Sequence, residues 1–212
     1  ELSRVFREEY NDINVSSEFE ISLLAHNQES RKKFFVGGLP RYDSLQNCAS
    51  KDVNAEKAVF VMLTWRNELN NNSVELDNSP YIKGILELFS ADNVQRLKQN
   101  NIRIVFAPHH VIAHRFKNIM LDGVDVVTNQ EDISYWISHA HALVTDFSSV
   151  SYDFLFQEKP VIYWIPDKED AQNGKLSHED AEKVLSALEL RKNFFNTVDS
   201  IDEVMHLLIQ YR

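Results

Sequence analysis

The chain has 212 residues, of which 43% are hydrophobic, enough for a substantial core. Its formal net charge of −10 argues against bulk nucleic-acid binding, which depends on a positive surface. A single cysteine, Cys48, excludes an internal disulfide framework and suits a reducing compartment. No run approaches the roughly 20 apolar residues of a membrane-spanning helix. Because the chain begins at Glu1, without Met or a hydrophobic leader, we expect a fragment of a longer protein.

Strand and helix patterns alternate along the sequence. Strands are predicted at 33–36, 58–63, 102–107, 124–127, 143–145 and 161–164. Helices are predicted after Ser79-Pro80, around Val94 and Leu97, at 133–141, after Ser149, near 178–190 and at 199–210. The run 58–63 is hydrophobic on both faces, as in buried parallel sheets. Together these patterns predict an α/β fold with a doubly wound parallel sheet and right-handed crossovers.

Each polar motif of the chain follows a predicted strand. The motifs lie at 38–43, 64–66, 108–110 and 146–149. In doubly wound sheets, ligands bind beyond the carboxyl ends of the strands. The common position of the motifs therefore predicts a binding site at one edge of the sheet.

The stretch Thr145-Asp146-Phe147-Ser148-Ser149 is the most informative of these motifs. It follows an apolar run and leads into another, so it predicts a buried strand, a tight turn and a helix that opens on two serines. Unpaired N–H groups at a helix start favour an anion, and two hydroxyls add neutral donors for a phosphate. A serine there can equally be a helix N-cap, and the two roles can coexist.

Arginine and histidine side chains stand in the other motifs. Arg66 ends Thr64-Trp65-Arg66, and His109 and His110 follow Pro108. The arginine fork suits phosphate oxygens, and histidine can donate to a leaving phosphate. Each of these residues alone is equally well explained as a surface side chain. Their common position at one edge of the predicted sheet indicates a site for a phosphorylated small molecule. A few such groups can hold a phosphate even when the rest of the surface is acidic.

Metal and dinucleotide sites are not indicated. His139 and His141 are two residues apart in a predicted helix and point in different directions. The five glycines are too scattered for a dinucleotide fingerprint. The segment 167–170 is interpreted as a solvated loop. No cofactor is therefore required by the sequence.

Five motifs form a recognisable set. They are G-x-P-R-x-D at 38–43, T-W-R at 64–66, a histidine after a strand, T-D-F/Y-S-S-V-x-x-D at 145–153 and K-P-V/I-I/L-x-Y/W at 159–164. The set resembles the CDP-glycerol glycerophosphotransferase family, the teichoic acid primases and polymerases of bacterial envelopes and related capsule enzymes. The resemblance runs from about residue 14 to the C-terminus. It implies a GT-B architecture, in which residues 37–212 form the Rossmann-like donor domain and residues 1–36 end the preceding domain and linker.

The resemblance also implies roles for individual residues. His109 matches the donor-site histidine, which helps the CMP leaving group depart or contacts its phosphates. Arg41 and Arg66 would face the cleft near the phosphates. Ser148 and Ser149 would bind the pyrophosphate at the helix start.

Four further residues complete the implied substrate-binding set. Asp146 would brace the turn rather than touch the anion, because a carboxylate repels a diphosphate. Asp153 would anchor the helix or a ribose hydroxyl. Thr64 and His110 adjoin the arginine and histidine in their motifs.

The implied reaction is attack by an acceptor hydroxyl on the β-phosphate of CDP-glycerol or a similar CDP-alditol. The acceptor would be a polymer or lipid-linked, and would bind through a missing N-terminal domain, so the isolated fragment is expected to be inactive. The resemblance implies a cytoplasmic enzyme, peripheral at the inner face of the membrane.

The chain departs from the family pattern in several places. His110 stands where proline is usual, His141 where aspartate is common and Phe147 where tyrosine is common, and 167–180 lacks the family's Tyr-containing acidic loop. The donor is therefore open, and a capsule-type transferase using another activated alditol or sugar fits as well.

Two other functions fit the sequence. One is a GT-B glycosyltransferase or nucleotide-sugar epimerase, with Glu179 or Asp180 as an acidic ribose-binding residue and a preference for uridine. The other is a non-catalytic nucleotide-binding module.

Overall fold

The computed structural model describes residues 12–25, 33–46, 57–70, 79–116, 119–191 and 197–211. Cys48 and the polar residues 71–73 lie outside these ranges. The chain divides into two compact units, 1–47 and 48–212.

The first unit is a small α/β assembly. Strand β1 (Asp12–Val15) pairs in parallel with β2 (Lys33–Val36), and helices α1 (Glu18–Ala25) and α2 (Pro40–Gln46) accompany them. Residues 37–47, which follow β2, group with the first compact unit, so the two units divide after Asn47. The functional division into 1–36 and 37–212, with nucleotide binding by the second part, stays a prediction.

The second unit contains a six-stranded sheet in which every pairing is parallel. In space the strands follow the order β5-β4-β3-β6-β7-β8. This arrangement confirms the predicted doubly wound fold. The strands are β3 (Lys57–Val61), β4 (Ile102–Phe106), β5 (Val124–Val126), β6 (Ala142–Thr145), β7 (Val161–Trp164) and β8 (Thr197–Val198).

Helices connect these strands, and the helix after Ser79 begins at its predicted signal. Pro80 occupies the first turn after Ser79, and the Ser200 side chain accepts a hydrogen bond from Glu203 N. The helices are α3 (Pro80–Leu88), α4 (Ala91–Gln99), α5 (Gln130–His139), α6 (Val150–Phe156), α7 (Lys168–Gln172), α8 (His178–Arg191) and α9 (Ile201–Gln210). Among the described residues, no helix has the length and apolar character needed to cross a membrane.

Apolar side chains cover both faces of the sheet. Val59 and Val61 point into one core, which α3, α4 and α9 complete. Phe60, between them, points into the opposite core and stacks on Phe154 of α6 with ring centroids 6.4 Å apart. Because both faces are buried, the strand is hydrophobic throughout rather than alternating.

The order of the strands creates a crevice at one edge. Within the second unit, the first strand of the sheet is β3, in the middle. The next two strands, β4 and β5, lie on one side of β3, and β6 lies on its other side. Connections from β3 and β6 therefore leave in opposite directions from neighbouring carboxyl ends. Doubly wound sheets bind ligands at this topological switch point.

Candidate functional site

Arg66 lies at the centre of a buried ion-pair network beside the switch point. Its Nε and Nη2 atoms donate to separate carboxylate oxygens of Asp167, each at 2.7 Å. Its Nη1 donates to the Thr64 carbonyl at 2.7 Å and to Asp146 at 3.1 Å. The three charged side chains are 0% exposed. Since Asp146 follows β6 and Asp167 follows β7, the network joins the carboxyl ends of three strands.

The structure contradicts the expectation that Arg66 faces the cleft. Its guanidinium lies over the Tyr81 ring, 4.6 Å from the centroid, and is enclosed by carboxylates and a carbonyl. Burial alone would lower the pKa of Arg66, but the hydrogen bond and charge of Asp167, with the charge of Asp146, raise it above its ordinary value. The arginine is therefore a permanent cation that holds the loops after β3, β6 and β7 together. A direct contact with donor phosphates stays a prediction, which this position does not favour.

Asp146 fastens the serine turn to the loop after β3. Its Oδ1 accepts hydrogen bonds from Thr64 N at 2.9 Å and from Phe147 N at 2.7 Å. Its Oδ2 accepts from Arg66. These contacts agree with the bracing role expected for Asp146, because its oxygens are occupied by donors of the protein.

Two further buried carboxylates, of Asp167 and Asp180, lie outside the site set predicted for the leading function. Asp167 is 0% exposed, so the solvated-loop interpretation of this position was wrong. Asp180, also 0% exposed, accepts hydrogen bonds from Asn67 N at 2.9 Å and Glu68 N at 3.2 Å. The sequence does contain a feature that could have identified Asp167. Like Asp146, it is an acidic residue that closely follows a predicted strand. With both oxygens on backbone donors, Asp180 is poorly placed for the ribose-binding role considered in the alternative.

The two serines lie at the protein surface beside this network. Ser149 is exposed and Ser148 is half-buried. Ser149 occupies the N-cap position of α6, but its side chain makes no capping hydrogen bond. The Ser148 hydroxyl accepts from Val150 N at 3.4 Å, which is long for such a bond. Capping therefore does not account for Ser149, and its hydroxyl can meet a ligand.

His109 lies in the loop after β4, next to the Trp65 side chain. The His109 ring centroid is 6.1 Å from that of Trp65 and 4.3 Å from that of His110. Burial, then the charge of His110, lower the pKa of His109, although Asp146 opposes them. Val111 N donates to His109 Nδ1 at 3.4 Å, a long hydrogen bond that favours the neutral tautomer with its proton on Nε2. A neutral His109 can thus donate a hydrogen bond from Nε2 near pH 7.

The remaining predicted residues have different environments. Asp153 is buried on α6, and His110 is exposed next to His109. Arg41 belongs to the first unit, where it is exposed on α2 with its guanidinium 5.2 Å from the Tyr42 ring centroid. The structure thus unites Thr64, Arg66 and Asp146 by direct contacts, while a role of Arg41 at the site stays a prediction.

A cavity of about 860 Å³ lies elsewhere, between α4, α7 and the start of α9. None of the predicted site residues lines it. Six carboxylates and two cations contribute to its wall, which disfavours a nucleotide diphosphate there. The charged wall residues are Glu87, Asp92, Glu169, Asp170, Asp199, Asp202, Arg96 and Lys168.

The fold and the site together define a doubly wound α/β domain with polar groups at its switch point, an architecture that suits a nucleotide. The family model for CDP-glycerol:poly(glycerophosphate) glycerophosphotransferase matches residues 4–209. The chain therefore belongs to this family, and the resemblance inferred from the motifs is confirmed.

Curated relatives have similar sequences. The chain is 27% identical over 166 residues to the minor teichoic acid biosynthesis protein GgaB of Bacillus subtilis strain 168, covering 73% of this chain and 18% of the relative. It is 25% identical over 158 residues to the teichoic acid poly(glycerol phosphate) polymerase of Bacillus spizizenii, covering 66% of this chain and 36% of the relative. The chain thus spans a minor part of each relative.

Solved structures share the fold. The wall teichoic acid polymerase TagF matches with a TM-score of 0.59 at 16% identity, covering 99% of this chain and 61% of that one. A variant of TagF soaked with CDPG matches with a TM-score of 0.53 at 15% identity, covering 99% of this chain and 60% of that one.

Proposed function

We propose that this chain takes part in transferring glycerol phosphate, or a similar alditol phosphate, from a CDP-activated donor to a hydroxyl of an envelope polymer. Residues 37–212 would hold the donor, whereas residues 1–36 would belong to the preceding part of the protein. Family membership and the teichoic acid enzymes among its relatives support this proposal. The acceptor would bind through regions of the protein outside the donor domain.

The observation that carries the proposal is the placement of uncommitted donors at the switch point. Ser149 is exposed without a capping bond after β6, and neutral His109 presents Nε2–H after β4, on the other side of β3. These groups can bind phosphate oxygens, and the proposed reaction needs no nucleophilic residue of the protein. Asp146, occupied by Arg66 and backbone donors, would fix the turn and stay away from the anion.

The proposed transfer is a direct displacement at the β-phosphorus. The acceptor oxygen forms a bond to that phosphorus, and the bond from the phosphorus to the bridging oxygen breaks. The bridging oxygen leaves with CMP, and the proton of the acceptor hydroxyl passes to solvent water. His109 Nε2–H would donate to an oxygen of the departing phosphate. Positioning and neutralisation of charge would supply most of the rate.

The first experiment is calorimetric titration of the chain with CDP-glycerol, CDP, UDP and UDP-glucose. Cytidine-selective binding that is weakened by His109→Ala and Ser149→Ala supports the proposal. Selectivity for uridine nucleotides would instead favour the glycosyltransferase or epimerase alternative. Absence of binding to every one of these ligands by the folded chain would contradict the donor-site assignment.

We also propose that the complete enzyme works at the inner face of the cytoplasmic membrane, held there by its lipid-linked acceptor. Sedimentation of the full-length enzyme with vesicles should then require the acceptor in the bilayer. Equal sedimentation with vesicles lacking acceptor would contradict this mode of association.

A further inference from the structure

Helix α8 is held firmly against the loop that follows β3. On one side, its residues Ala181, Val184 and Leu188 pack in an apolar cluster with Phe147 of the serine turn. At its start, Asp180 accepts two backbone hydrogen bonds from the turn after Arg66. The side chains of α8 therefore have defined positions relative to the site.

Lys183 projects from this helix toward Trp65. Its Nζ lies 5.6 Å from the Trp65 ring centroid, and His109 lies 6.1 Å from the same centroid. Its ion-pair distance to Glu179 is 3.7 Å, longer than a hydrogen bond, and its side chain is 39% exposed. Within the described part of the chain, no hydrogen bond engages Nζ, so its three donors are available.

The charge at this edge of the sheet is unfavourable for a diphosphate. Asp146 and Asp167 contact the Arg66 guanidinium, and a third buried carboxylate, Asp180, binds the turn that follows Arg66. His109 adds no positive charge when its pKa is lowered. A nucleotide diphosphate brings further negative charge, so a cation outside the buried network would strengthen its binding.

We propose that Lys183 supplies this cation by contacting the diphosphate of the bound nucleotide, with Trp65 supporting the lysine stem. The inference rests on the proposed function of the same site. The lysine combines a fixed backbone, unoccupied donors and a position beside Trp65 and His109. A point charge on a flexible stem suits phosphate oxygens whose geometry changes during transfer.

The test compares Lys183→Gln with Lys183→Arg in calorimetric titrations with CDP-glycerol, CDP and cytidine. Lys183→Gln should bind CDP-glycerol and CDP about tenfold more weakly, because a charge-assisted hydrogen bond is lost. Binding of cytidine, which lacks phosphates, should not change. Lys183→Arg should restore most of the affinity. Lys175→Gln, an exposed lysine paired with Asp170, is the matched control and should bind as the wild type does.

The outcomes separate this inference from the proposed function. Wild-type binding of CDP-glycerol together with unchanged binding by Lys183→Gln would overturn the role of Lys183 alone. An equal loss for cytidine and CDP would also overturn it, because the residue would then act on structure rather than on phosphate. A wild-type chain that binds none of the nucleotides would overturn the proposed function itself.

Discussion

Arg66 and Asp167 form a two-pronged ion pair in which Nε and Nη2 each donate to a carboxylate oxygen at 2.7 Å, with both side chains 0% exposed. The pair links the loop after β3 to the loop after β7 across the strand that carries the serine turn. Such a pair is costly to break from one side, because the remaining charge stays buried. The rigidity of the site therefore depends on Asp167.

Asp167→Asn should strongly destabilise the protein. Removal of the carboxylate charge leaves Arg66 paired only with Asp146, so we expect a loss of about 3–5 kcal/mol in the free energy of unfolding. Urea denaturation measures this loss. Glu169→Gln, at an exposed position on α7, is the control and should change stability by less than about 0.5 kcal/mol. A loss of similar size in both variants would contradict the role of the buried pair.

Ser149→Ala should weaken ligand binding without loss of stability, whereas Ser200→Ala should lower the stability of the protein. Ser200 caps α9 by accepting a hydrogen bond from Glu203 N at 3.2 Å, so its loss should cost about 1 kcal/mol. Ser149 makes no capping bond, so its replacement should leave the free energy of unfolding nearly unchanged while weakening CDP-glycerol binding. Chemical denaturation and calorimetry separate the two effects. A destabilised Ser149→Ala with normal binding would return Ser149 to a purely capping role.

His109→Gln should retain more donor affinity than His109→Asn. The amide nitrogen of glutamine lies near the place of Nε2, whereas that of asparagine lies near Nδ1, which accepts a bond from Val111 N. If Nε2–H donates to phosphate, the asparagine variant should bind CDP-glycerol about tenfold more weakly than wild type, and the glutamine variant should lose less. Titration of both variants measures the difference. The reverse ranking would show that Nδ1 faces the ligand.

Acidification should destabilise the wild type more than His109→Gln. The pKa of His109 is lowered by burial and by His110, so below about pH 6.5 the unfolded chain takes up a proton that the folded ring resists. Stability from this group is present above that pH and is lost as the pH falls toward the folded-state pKa. Unfolding free energies at pH 7.5 and 5.5 test the effect. Parallel pH profiles for the two proteins would contradict a lowered pKa.

Much of the fold follows from local patterns. The apolar run 58–63 and the helix start at Ser79-Pro80 correspond to β3 and α3 in the structure. The position of polar motifs after strands also predicts the edge of the sheet at which the site is proposed. These patterns are reliable because the period of buried side chains and the chemistry of helix caps act over a few residues.

Contacts between charged residues that are distant in the chain could not be predicted from these local patterns. Arg66 carries the signature of a phosphate ligand in the sequence, yet it is buried because Asp167, distant in the chain, forms an ion pair with it. Likewise, in the sequence Lys183 is one charged residue among several in a predicted helix. Only the packing of α8 places it over Trp65.

The sequence by itself determined the α/β class, most strands of the larger sheet and the family, because strand and helix periods and the TDFSSV motif are local. Only the tertiary structure decided which charged residues are buried and which can reach a ligand. The physical reason is that burial of a guanidinium requires carboxylates from other strands, and their approach is set by the packing of the whole sheet.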